Sequence, residues 1–139
     1  MLQLEHINLV VSDIPAMLKF YQVAFPHWFV RDQGHDEWNG KPRQWLHFGD
    51  DYQYIAMNDH GEGQNRELSG HQVGLAHFAY VTSNLTAVIT RLQKAGFNVA
   101  KDGGVNSHRQ NIYFIDPAGF EVEFVQYLSD IPAERNSTQ

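Results

Sequence analysis

The chain has 139 residues, Lys+Arg 10 against Asp+Glu 16 for a formal net charge of −6, 42% hydrophobic and 13% aromatic residues, and no cysteine. A chain of this size and composition can bury a real core, which excludes disorder, and the missing cysteines exclude disulfide frameworks, thiolate metal sites and cysteine nucleophiles. The acidic balance, the start MLQLEHINLVV without a basic leader, and the lack of a long apolar run predict a cytoplasmic protein that binds neither nucleic acid nor membrane.

The first predicted element is a strand through HINLVV. Alternation places Leu4, His6, Asn8 and Val10 on one face and Glu5, Ile7, Leu9 and Val11 on the other. Ser12-Asp13 reads as a helix cap, with Pro15 at the first helical position and Phe20, Tyr21 and Phe25 at helical spacing as core. Three short β-like runs follow, at about 28–32, 44–49 and 52–58, with GHDEWNG as a turn-like connection. Residues 59–72, rich in Gly, Asn and charge, read as a linker.

Beyond the linker the pattern returns. Residues 6–25 align with 77–96 at an offset of 71, placing His6 on His77, Val10 on Val81, Ser12 on Ser83, Asp13 on Asn84 and Ala16 on Ala87. A second strand, cap and amphipathic helix are followed by runs at about 98–101, 111–115 and 121–127, separated by DGGVN and DPAG. The expected fold is therefore α+β, βαβββ twice. It forms one domain over 1–128, with module one at 1–58, the linker at 59–72 and module two at 73–128. Residues 129–139 are expected to form a loose polar tail from which Ile131 can dock.

The apolar faces carrying Ile7, Leu9 and Val11, and Phe78 and Tyr80, are expected under the helices. The repeat-related His6 and His77 then fall on the helix-free face. Two neutral imidazoles need only one carboxylate to make a facial metal triad, and the last strand offers two on one face, Glu121 and Glu123. Asn8, one side-chain step from His6, is a candidate substrate contact or a backbone partner. His47 is a candidate general base or a structural residue. Arg109, on a polar loop before the seventh strand, is a further candidate substrate contact.

Three segments, LEHINLVVSD, GLAHFAYVTSN and IYFIDPAGFEVEF, resemble the vicinal oxygen chelate superfamily, which includes glyoxalase I, extradiol dioxygenases, fosfomycin-resistance enzymes and bleomycin-resistance proteins. The resemblance implies paired βαβββ modules forming an open, barrel-like mixed sheet around a metal cavity. It also implies one divalent metal per chain, Fe, Mn, Zn or Ni, held by His6, His77 and Glu123, the Glu four residues past the Gly of DPxG. A small oxygen-rich substrate chelated through adjacent oxygens is implied too, as is a homodimer whose modules pair within or across chains. Glyoxalase I adds a fourth carboxylate or amide ligand from the first module, where Ala56 is the best match here, so the site resembles the three-ligand extradiol dioxygenases and fosfomycin-modifying transferases instead, the extradiol type being favoured. Tyr113, ten residues before Glu123, matches the extradiol tyrosine spacing. The alternatives are a sequestering protein of the bleomycin-resistance type and a fosfomycin-type thiol transferase relative. The latter's anion-holding positions fall here on Gly104 and Pro132.

Overall fold

Two short polar side chains start the two principal helices. In the computed structural model, which describes residues 1–138, the Asp13 carboxylate accepts the Ala16 amide at 3.0 Å and opens α1 (Ile14–Ala24). The Asn84 carboxamide accepts the Ala87 amide at 3.1 Å and opens α2 (Leu85–Lys94). Such caps satisfy amides that have no partner inside the helix, each worth ~1 kcal/mol. Pro15 stands at the second helical position rather than the first, where its missing donor is still among the orphans.

The chain divides into two compact units, Met1–Gln64 and Asn65–Gln139. The first contains β1 (His6–Val10), α1, β2 (Phe29–Trp38), β3 (Lys41–Gly49) and β4 (Tyr54–Asn58). Its sheet runs in the order β1-β4-β3-β2, with β1 parallel to β4 and the other pairs antiparallel. The second contains β5 (Phe78–Val81), α2, β6 (Lys101–Asp102), β7 (Arg109–Ile115), β8 (Glu121–Tyr127) and a short α3 (Pro132–Arg135). Its sheet order, β5-β8-β7-β6, repeats the first, with β5 parallel to β8. Each unit is thus a βαβββ module with a mixed sheet, and the α+β expectation holds.

Each sheet has one apolar face and one polar face. In the first unit Leu9, Leu46, Phe48, Ile55 and Met57 are buried, as are Ile14, Met17, Phe20, Tyr21 and Ala24 along one stripe of α1. A chain of rings, Tyr21–Phe25–Trp28–Phe48, joins the end of that helix to β3. In the second unit Phe114, Val122 and Phe124 are buried with Leu85, Val88 and Leu92 of α2, which packs on β8. Register places the remaining side chains on the opposite faces. In the first sheet these are His6 and Asn8, Tyr54, Ala56 and Asn58, and Arg43, Trp45 and His47. In the second they are Ala79, Glu121, Glu123, Asn111 and Tyr113.

Three expectations change. GHDEWNG is not a connection: β2 runs on to Trp38, and Trp38 pairs with Lys41 across the two residues Asn39 and Gly40. Both have positive φ, 47° and 83°, the conformation of a tight primed hairpin turn, for which Asn-Gly is the preferred pair. The run expected at 98–101 contracts to Lys101–Asp102. The tail is not loose: it forms α3, Arg135 stacks on the Tyr127 ring at 4.1 Å, and Glu134 reaches His108 Nδ1 at 3.0 Å. Ile131 does not dock but stays 56% exposed. Among the described residues no helix is long and apolar enough to cross a membrane.

Candidate functional site

The DPAG turn aims the last strand. Asp116 is buried, and its carboxylate accepts the amides of Ala118 at 2.9 Å and Phe120 at 3.0 Å while Gly119 takes φ 87°. β8 then inserts between β5 and β7, so Glu123 lies opposite Ala79 on one side and Tyr113 on the other. His77 immediately precedes β5, and its Nε2 stands 3.1 Å from Glu123 Oε2. The other carboxylate oxygen, Oε1, accepts Asn111 Nδ2 at 2.9 Å, and the same amide nitrogen reaches the Tyr113 hydroxyl at 3.4 Å. The Tyr113 ring meets the His77 ring edge to face, with centroids 5.3 Å apart.

The two carboxylates of β8, equivalent in the sequence pattern, are separated by their partners. Glu121 is held by Lys101 at 3.0 Å, and that ammonium also lies over the Tyr113 ring at 4.6 Å. Its hydrogen bond to Glu121 pushes the Lys101 pKa up, so the ammonium keeps its charge. Glu123 answers instead to His77 and Asn111. Its side chain is only 13% exposed against 39% for His77, so the carboxylate is sheltered while the imidazole opens to solvent. Burial raises the Tyr113 pKa, and the negative charge of Glu123 adds to that, so the phenol keeps its proton at neutral pH.

This donor set suits a divalent ion. Two ligand atoms at about 2.1 Å from one ion and at right angles to each other stand about 3.0 Å apart, close to the His77–Glu123 separation of 3.1 Å. His6, in the first unit, suits the same role in another way. Its Nδ1 meets Glu5 Oε1 at 2.8 Å, leaving Nε2 as the nitrogen for a metal, with a carboxylate orienting the ring from behind. Among the described residues no three His, Cys, Asp or Glu side chains gather into a ready metal cluster.

The first unit arranges its polar face differently. Asn8 Oδ1 accepts Asn58 Nδ2, which also reaches the Leu9 carbonyl at 3.2 Å. Arg43 binds both oxygens of Asp36, at 2.7 and 3.2 Å, and Asn58 Oδ1 at 2.9 Å. Asn8 therefore serves a side-chain network in addition to facing outward. His47 lies between the rings of Trp45 at 5.1 Å and Tyr54 at 4.5 Å. Burial holds its pKa below the ordinary imidazole value against the opposing pull of Asp32, so it is neutral at pH 7. Arg109 is not gathered with the others: its guanidinium donates to the Ser137 carbonyl at 3.2 Å, holding the tail.

Register also identifies the counterpart of Glu123 in the first unit. Glu123 pairs with Ala79, the repeat partner of Asn8, and Asn8 pairs with Ala56, which in turn lies opposite His47 as Glu123 lies opposite Tyr113. The first module thus has no carboxylate where the second has Glu123. Gln53 is exposed in the loop before β4, outside the strand. Asn111 and Lys101 went unremarked in the sequence. Asn111 could have been found by its spacing, two residues before Tyr113 and so on the same face of one strand.

Two βαβββ modules of identical strand order, the second carrying a sheltered His–Glu pair on its helix-free face, define a duplicated-module α+β protein. The family model described as Glyoxalase/Bleomycin resistance protein/Dioxygenase superfamily matches residues 5–115, and the chain belongs to that superfamily. A search of curated protein sequences finds no match. Among solved structures the chain is similar to a glyoxalase family protein from Enterococcus faecalis, with TM-score 0.71, 19% identity, and 88% of this chain and 96% of that one covered. It is also similar to a glyoxalase/bleomycin resistance protein/dioxygenase domain from Frankia sp. EAN1pec, with TM-score 0.72, 17% identity, and 91% and 98% covered. A third is a variant of the fosfomycin resistance protein FosX from Listeria monocytogenes, complexed with Mn(II) and 1S,2S-dihydroxypropylphosphonic acid. For it the TM-score is 0.73 at 16% identity, with 99% of each chain covered. Identities this low establish the shared fold.

Proposed function

We propose that the protein is a divalent-metal-dependent enzyme acting on a small oxygen-rich substrate, with His6, His77 and Glu123 as the protein ligands. His6 comes from one copy of the module and the other two from the second copy, within a chain or between the chains of a homodimer. The observation that carries this reading is the His77–Glu123 pair, spaced as neighbouring ligands of one ion and braced by Asn111. When bound, such an ion would supply Lewis-acid polarisation of substrate oxygens. The chain's own contributions follow from the geometry. Asn111 holds Glu123 Oε1, which leaves Oε2 toward His77. The protonated Tyr113 hydroxyl is a hydrogen-bond donor to a substrate oxygen beside that pair. His47, neutral at pH 7, is a candidate acceptor for a substrate proton.

Ala56 at the position equivalent to Glu123 favours a three-ligand, extradiol-dioxygenase-like site over glyoxalase I chemistry, because no carboxylate stands ready there to move a proton. The test is elemental analysis of protein purified without a histidine tag, followed by two assays on the metal-loaded protein. One bound divalent ion per chain is expected, lost in His77→Ala and in His6→Ala. Oxygen uptake with a catechol and Fe(II) is expected, with no conversion of methylglyoxal and glutathione. Full metal content in His77→Ala would refute the ligand assignment. Efficient lactoylglutathione formation would refute the three-ligand reading. A folded protein that takes up no divalent ion would instead support the sequestering type.

A further inference from the structure

The β2–β3 ladder of the first unit contains one irregularity. Val30 pairs with Phe48 and Asp32 with His47, which leaves Arg31 as an extra, unpaired residue in a β-bulge. A bulge bends its strand and re-aims the inserted side chain, and such irregularities concentrate beside functional sites. Here the Arg31 guanidinium comes to lie over the Tyr54 ring on β4, 4.5 Å from its centroid. The β3 residue opposite Tyr54 is Gly49, so no side chain intervenes between the two strands at that level.

Among the described residues Arg31 has no carboxylate at ion-pair distance. Asp50, the acid that feels its charge, has its Oδ1 already committed to the amides of Tyr52 and Gln53. Arg43 on the same face behaves oppositely, since Asp36 neutralises it and Asn58 takes its remaining nitrogen.

The free cation ends a strip of rings. Tyr54 stacks on His6 at 4.5 Å and on His47 at 4.5 Å, and His47 continues to Trp45. Beside the strip, above the small side chain of Ala56, lies a cavity of about 300 Å³ walled by Trp45, His47, Asn8 and Asn58. That volume is at the small end for ligand pockets and accommodates a single ring. Trp45 and His47 offer it flat apolar surface, and the paired Arg43 and Asp36 add no net charge. Two charges lie beyond the cavity at His47: Asp32, opposite His47 across the ladder, whose Oδ1 accepts the Gln33 amide, and Arg31, the cation there with no carboxylate at ion-pair distance among the described residues.

We propose that this face of the first unit binds a small planar carboxylate, aromatic or conjugated. Its ring sits over Ala56 against Trp45 and His47, and its carboxylate meets the bulged Arg31. A guanidinium is suited to both halves of such a ligand, since it donates in a planar fork to a carboxylate and stacks on aromatic faces. The proposal rests on the first unit alone and does not require the metal.

Benzoate titrated calorimetrically into chelator-treated full-length protein tests it. Benzoate is expected to bind at least tenfold more tightly than benzamide, which lacks the charge, and than acetate, which lacks the ring. Arg31→Gln is expected to weaken benzoate roughly tenfold, to the benzamide level, while Arg31→Lys recovers part of the loss. Arg31 is exposed, so both variants should fold, and circular dichroism checks this. Unchanged benzoate affinity in Arg31→Gln would overturn the proposal, and so would binding that requires added divalent metal. Elemental analysis of the same variants is expected to show metal content as in the parent protein, so the proposal can fail while the metal assignment stands, and the reverse.

Discussion

Replacing Gly103 by Ala should loosen Glu123 from two strands away. Gly103 follows β6, and its amide bonds the Asn111 carbonyl at 3.0 Å. A methyl group built on Gly103 overlaps the Asn111 carboxamide oxygen, so that side chain must retreat by roughly 1.5 Å or more to reach van der Waals contact. A movement of that size breaks the 2.9 Å hydrogen bond from Asn111 to the sheltered Glu123 carboxylate. Hydrogen bonds to charged groups contribute about 1.5–3 kcal/mol. Against this, Gly103 is not among the glycines of positive φ, so alanine also narrows the unfolded ensemble, a gain of about 0.4–1 kcal/mol. The net expectation is a destabilisation of about 1–2 kcal/mol in urea unfolding. The route is tested by a double-mutant cycle with Asn111→Ala. If Gly103→Ala acts by displacing Asn111, it should cost almost nothing once that carboxamide is gone. Effects that add to within about 0.5 kcal/mol would refute the argument.

Gly40→Ala should destabilise by about 1–2 kcal/mol, lowering the urea midpoint without changing the slope. Gly40 sits at φ 83° with open space around it, so the cost is purely conformational. His47 gives a pH signature: burial holds its folded pKa below the unfolded value of about 6.5, so the unfolded chain binds more protons as pH falls through that value. The native protein should therefore lose more stability between pH 7.5 and 5 than His47→Gln does. Parallel losses in urea melts at the two pH values would remove His47 from the account.

Much of the fold is legible in the sequence because the signals are local. Asp13 and Asn84 cap helices through amides three residues away, and the apolar alternation of the first and last strands assigns faces residue by residue. The offset between the two modules, joined to those faces, marks His6, His77 and the pair Glu121 and Glu123 as candidates from the sequence alone. What gives the two glutamates different partners is not local. Lys101 reaches Glu121 because β6 pairs with β7, and Asn111 reaches Glu123 because β7 pairs with β8 in a particular register. Register depends on the summed pairing of whole strands and is invisible to a window of neighbours. The same holds for the bulge that lifts Arg31 over Tyr54, and for the tail that Arg109 and His108 hold in place. Strand length is the intermediate case. Asn39-Gly40 marks the hairpin in the sequence, but Gly34 and the charges of β2 read as loop until β3 supplies their cross-strand partners, Trp45 opposite Gly34 and Arg43 opposite Asp36. Local chemistry selects the elements, and only the pairing of distant strands selects which polar groups meet.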